Sequence, residues 1–290
     1  AATEGTTING KKIPGLGDPN VPESNSVFVI DVADAANPRV TAKIRTGIPI
    51  GEKSVGGSSP GAVVAGRKKV FVSNASQDSI TILEARTQRV EKTIVLEPAE
   101  SVRGLRGVLP FGMALTPDEK HLFVACAGIN AIAVIDARKD KVLGYLPTAW
   151  FPARVAVSPN GMTLYISNAK GFGAGPNGGP GFQLGPEGTY IGDITKGVVS
   201  IVPLPLYVTI TLDGGEDSGP HLDKEALRRH STKVLENNGF SSSATPTLRV
   251  TGSHVATPSE AAAKIQHVVF IVKENRTFDE VFGDIPEIAG

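Results

Sequence analysis

Residues 69–96 read "KVFVSNASQDSITILEARTQRVEKTIVL", and residues 121–148 read "HLFVACAGINAIAVIDARKDKVLGYLPT". Laid on one another without a gap, 52 positions apart, they share Phe71/Phe123, Val72/Val124, Ile80/Ile132, Ala85/Ala137, Arg86/Arg138 and Val90/Val142. A third copy starts 42 positions further on, where "RVAVSPNGMTLYISNAKG" (154–171) matches "GMALTPDEKHLFVACAGI" (112–129) with Pro159 over Pro117. The second half of the unit recurs early as "NSVFVID" (25–31) and late as "GVVSIVP" (197–203).

Within each unit, short runs rich in Val, Ile and Phe alternate with turn residues, which is strand and not helix patterning. "TPDEK" and "SPNGM" supply the Pro and Asx/Gly chemistry that reverses a chain. Four short strands repeating every ~40–50 residues are the pattern of a β-propeller blade. The fold class expected is therefore all-β: a propeller domain over residues 1–212, with a half blade at about 21–50 and fuller blades at about 55–100, 105–150 and 151–210. Closed rings hold four to eight blades. Three and a half imply an incomplete ring, finished by further blades upstream or by a partner.

Composition agrees. Gly 33 and Pro 21 in 290 residues suit many turns, and 40% hydrophobic content is too high for disorder. Lys+Arg and Asp+Glu both number 29, so no global field draws in nucleic acid or an anionic membrane. No apolar run reaches the ~18 residues of a membrane span. "AATEGTTING" at residues 1–10 lacks the basic and apolar regions of a signal peptide. The single cysteine, Cys126, lies in a strand-like run and reads as core packing, with no intrachain disulfide possible.

Between the halves of the third copy lies "GFGAGPNGGPGFQLGPEGTYIGDITKG" (171–197), with a formal G-x-G-x-x-G at Gly173, Gly175 and Gly178. That motif needs a helix to begin inside it, and Pro176 and Pro180 forbid one, so a surface loop is expected rather than a dinucleotide site. A linker follows over 213–263, with a helix at about 223–237 capped by Asp223, carrying Ala226, Leu227, Val234 and Leu235 as an apolar stripe and stopped by "NNG". His221 and His230, nine apart, are spaced wrongly for one metal on one helical face. The "DGGEDSG" run (213–219) lacks the alternating oxygen ligands of a calcium loop.

The C-terminal 27 residues, 264–290, differ from any blade. "HVVFIV" (267–272) reads as a buried strand and opens into "KENRTFDEVFGD" (273–284). Ligands of open α/β sheets gather at the carboxyl ends of such strands. Glu274 offers an anionic oxygen and Asn275 a neutral amide oxygen, a pair that suits a hard divalent cation; from the residues alone a capped helix start, with Arg276 and Asp279 as solvent-facing charges, is the better reading.

Two resemblances add to this reading. "VFVSN", "LFVAC" and "LYISN" with their "VID"-like ends resemble the YVTN family of propeller repeats, over roughly residues 25–205. "HVVFIVKENRTFDEVFGD" resembles the opening motif of the phosphoesterase family that includes bacterial phospholipases C and certain acid phosphatases, related to the alkaline phosphatase superfamily. The second resemblance implies that Glu274 and Asn275 are ligands of a divalent metal ion, and that "HVVFIV" is the first strand of an α/β domain. It further implies a phosphate ester substrate and a periplasmic or secreted location. The nucleophile and the other Asp and His ligands would lie downstream of residue 290, so the chain by itself is expected to be inactive. The alternative is a non-catalytic propeller that binds a protein or ligand on its face.

Overall fold

The computed structural model describes residues 25–51, 56–172, 195–204, 223–240 and His267, together with the backbone of strands at 7–8, 11–12, 207–209 and 220–222. The glycines at 173, 175 and 178, the linker beyond residue 240 and the Glu274–Asn275 motif lie outside the described residues. The described part is mostly β, built of antiparallel sheets like propeller blades, with one C-terminal helix.

Strands β1 (Thr7–Ile8) and β2 (Lys11–Lys12) pair, as do β3 (Ser26–Asp31) and β4 (Arg39–Arg45). Next come β5 (Pro60–Ala65), β6 (Lys69–Asn74), β7 (Ser79–Glu84) and β8 (Val90–Val95), a four-stranded meander. Strands β9 (Pro110–Leu115), β10 (His121–Cys126), β11 (Ala131–Asp136) and β12 (Lys141–Pro147) repeat it. Strands β13 (Trp150–Val157), β14 (Thr163–Gly171) and β15 (Val198–Pro203) follow, then the pair β16 (Tyr207–Thr209) and β17 (Pro220–Leu222) and the helix α1 (Lys224–Asn237). The third repeat was expected to hold four strands. Among the described residues its sheet holds the three strands β13, β14 and β15, while β16 pairs with β17.

The middle sheet, β9–β12, is buried on both faces. Along β10, Leu122, Val124 and Cys126 point into a core shared with Phe71, Ile80 and Ile82 of the preceding sheet. Phe123 and Ala125 point the other way, into a core with Val155, Leu164 and Ile166 of the following sheet. Period-two alternation with both rows apolar makes the unbroken run "HLFVAC".

Matching turns explain the matching sequences. Thr116 donates its hydroxyl to Asp118 Oδ1 (2.6 Å), while the N–H groups of Lys120 and His121 bond Asp118 and Thr116 (both 3.0 Å). One repeat on, Ser158 donates to Asn160 (2.7 Å), with Met162 and Thr163 N–H in the same places (3.0 and 2.9 Å). Glu119 and Gly161, at φ 55° and 74°, take the left-handed position of the two turns.

A second device ties each unit to the next. Asn25, Asp78 and Asn130 each stand just before a third-strand segment with left-handed backbone, φ 55°, 48° and 50°. Their carbonyls accept from Thr46 (2.8 Å), Leu96 (2.7 Å) and Thr148 (3.0 Å), closing the outer strand of their own sheet. Their side chains reach the lead-in of the following sheet: Asn25 accepts from Ser58 N–H (2.9 Å), Asp78 from Gly107 (2.7 Å) and Leu109 (2.8 Å), and Asn130 from Phe151 (2.9 Å). Only Asn, Asp and Gly adopt this backbone readily, and only the first two also bring an acceptor.

Helix α1 begins where Asp223 caps the N–H groups of Glu225 (3.0 Å) and Ala226 (2.9 Å), and it stops at Asn238 and Gly239. Placed in a linker by the sequence pattern, it instead docks on β12, the outer strand of the middle sheet. Leu227 enters one inter-sheet core, and Val234, two turns later, enters the other. Between them the Ser231 hydroxyl accepts from Tyr145 N–H (2.9 Å) and lies 3.4 Å from Tyr145 O, so it covers backbone groups of an open sheet edge. Gly144 permits the approach, since a Cβ there would sit 2.5 Å from Ser231 Oγ.

Candidate functional site

Of the terminal motif only His267 falls among the described residues, and it is exposed. Glu274 and Asn275 are outside them, so no geometry brings that pair together or keeps it apart. Among the described residues no three His, Cys, Asp or Glu side chains gather as a metal ion would need.

The groups that do carry chemistry inside the sheets are placed for packing. Burial pushes the Cys126 thiol up to about 12, so at neutral pH it stays protonated and is no nucleophile. The Tyr145 phenol is likewise raised by burial, and among the described residues its hydroxyl has no hydrogen-bond partner. His121, at the start of β10, is lowered by burial, an effect only partly opposed by Asp118 and Asp136. Burial also pushes Asp118 up, but the Thr116 hydroxyl, Lys120 N–H and the nearby Lys120 and His121 charges hold it below the usual carboxylate range.

A cleft of about 600 Å³ opens at the turn ends of the β5–β8 and β9–β12 sheets. It is built from three reversals: 66–69 between β5 and β6, 118–119 between β9 and β10, and 137–138 between β11 and β12. Phe71, Leu115 and Ala137 make its apolar floor. Two ion pairs span it. Arg67 Nε meets Glu119 Oε1 at 3.0 Å, and the Arg67 N–H also donates to that carboxylate. Lys69 Nζ meets Asp140 Oδ1 at 2.6 Å and donates to Ala137 O at 3.2 Å. Both side chains of the Lys69–Asp140 pair are mostly shielded, 24% and 17% exposed, so water screens that pair less than the outer one.

Sequence reading missed the cleft, although one trace of it was visible. Arg86/Arg138 and Ala85/Ala137 are identical pairs in the repeat, at the turn that forms one wall. What the alignment does not show is that turns far apart in sequence converge.

No protein-family model matches the chain, and no curated protein matches it. Solved structures that resemble it include hydrazine synthase from Kuenenia stuttgartiensis, at 25% identity over 39% of this chain and 30% of that one, TM-score 0.35. A Lactobacillus plantarum protein matches at 18% identity over 50% of this chain and 45% of that one, TM-score 0.41. Virginiamycin B lyase from Staphylococcus aureus matches at 14% identity over 62% and 49%, TM-score 0.38. The chain thus spans less than half the length of each. The similarity is a distant one to β-propeller proteins, and it brings no support for phosphoester chemistry.

Proposed function

We propose that this chain is the propeller-bearing part of a metal-dependent phosphoric-ester hydrolase. The observation that carries the reading is the motif at 273–279, "KENRTFD", set directly behind the apolar strand "HVVFIV". Its donor set is a carboxylate and an amide oxygen, which fits a hard divalent cation and not a thiolate-seeking one. Glu274 and Asn275 would hold such an ion, which when bound supplies charge neutralisation on a phosphoryl group. The blade-like sheets are the scaffold in this reading, with the Arg67–Glu119 and Lys69–Asp140 pairs linking one sheet to the next.

The test is hydrolysis of p-nitrophenyl phosphate and bis(p-nitrophenyl) phosphate by the product of the whole reading frame. Glu274→Ala should lower the rate by more than about 100-fold, beyond the loss that outer-shell partners of a metal cause. The 290-residue chain alone should show no turnover. Equal activity in wild type and Glu274→Ala would overturn the proposal and leave the non-catalytic binding module in its place.

A further inference from the structure

The cleft between the β5–β8 and β9–β12 sheets has a charge pattern that its ion pairs do not use up. Arg67 is matched by Glu119, Lys69 by Asp140, and Asp118 by Lys120 at 3.6 Å. Lys68 and Arg138 remain. Both are exposed at the mouth, and among the described residues no carboxylate pairs with either. Two positive charges therefore stand over a floor of Phe71, Leu115 and Ala137.

A volume of about 600 Å³ lies within the range of small-molecule sites. Such sites combine apolar walls with a few convergent polar groups, the arrangement seen here. The carboxylates of Asp118 and Glu119 are held by their own partners on one wall, so the charges left unmatched at the cleft are the cations Lys68 and Arg138. The walls are also fixed. Lys69 bridges to Ala137 O and Asp140, and Arg67 to Glu119, so the sheets are held at one separation before anything binds.

We infer that this cleft binds a small organic anion with an apolar body, the anionic group between Lys68 and Arg138 and the body against Phe71 and Leu115. The inference does not depend on the hydrolase reading, because it uses no residue of the terminal motif. A protein NMR titration of the full chain tests it, with naphthalene-2-sulfonate as probe and neutral 2-naphthol as its uncharged counterpart.

The backbone amides of Gly66, Lys68, Ala137 and Arg138 should shift with the sulfonate and saturate. Binding should be at least about tenfold weaker in the double variant Lys68→Glu/Arg138→Glu, because reversing two nearby charges turns attraction into repulsion. Lys224→Glu, a reversal on helix α1, should leave the titration unchanged. Three results would each overturn the inference: no saturating shift at these amides, equal affinity for 2-naphthol, or full affinity in the double variant. Site-resolved shifts keep the test clear of the exposed apolar side chains elsewhere, and the variants alter exposed residues, so the fold stays as it is.

Discussion

Two sheets of this molecule follow the same pattern of apolar and turn residues and live in different surroundings. In the middle sheet, Phe123 pairs with Val134 and Ala125 with Ile132, all at 0% exposure. One repeat later the matching pairs are Tyr165 with Ile201 and Ser167 with Val199. There Tyr165 is 43% exposed, Ile201 65% and Val199 66%. The opposite row of the same sheet, Leu164 and Ile166, is buried against the middle sheet. Apolar residues therefore occupy both rows whether or not a neighbour covers them. The repeat encodes a two-faced slab, and its stability comes from what stands on either side.

The sharpest way to break that comparison is to truncate the same position in both sheets. Phe123→Ala empties a fully buried site between two sheets and should cost about 3–5 kcal/mol. Tyr165→Ala removes a half-exposed ring and should cost under about 1 kcal/mol. Urea unfolding of the two variants measures both. Similar losses would mean that the slab's outer face is covered in solution, and that its exposure is not the native condition.

A smaller effect separates the clasps that join the sheets. Asp78 accepts from two N–H groups of the next sheet's lead-in, whereas Asn130 accepts from one. Asp78→Ala strands both donors at a part-buried seam and should lose about 2–3 kcal/mol, with Asn130→Ala losing about 1–1.5 kcal/mol. Urea midpoints rank them. An inverted order would place the strength of the clasp in the shared backbone bonds to Leu96 and Thr148, not in the side chains.

These clasps show where sequence reading succeeded and where it stopped. Strand identity was legible because the rule is local: alternating Val, Ile and Phe between Asx and Pro turns leaves few other structures. The buried thiol and the capped helix were legible for the same reason. The alignment even sets Asp78 over Asn130, but an Asx residue before a strand reads as an ordinary turn until the chain 31 or 21 residues later is seen to return to it. Helix α1 was legible as a helix and not as a cover for β12, since Leu227 and Val234 say that a face is buried without saying against what. The cleft was hidden by the same limit. Lys68 and Arg138 are unremarkable surface charges in sequence, and become neighbours only when turns from two sheets meet. The proposed metal pair was legible only as a motif, and it stays a proposal because nothing described surrounds it.

The last prediction uses acid to narrow the difference between the sheets. Where β10 starts with His121, the matching positions in β6 and β14 hold Lys69 and Thr163. Burial lowers the His121 pKa below 6.5, so just below that pH the unfolded chain takes up a proton that the folded chain refuses. The unfolded state then binds more protons, and stability rises with pH across this window and falls as pH drops through it. The depressed carboxyls of Asp31 and Glu84 add a loss of the same sign at lower pH, below their ordinary values of 3.8 and 4.5. Urea midpoints followed from pH 7.5 to 5 should therefore decline in the wild type and stay flatter in His121→Gln. Matching slopes would remove His121 as the cause. A steeper slope in the wild type would trace the acid sensitivity between pH 7.5 and 5 to the buried imidazole at the start of β10.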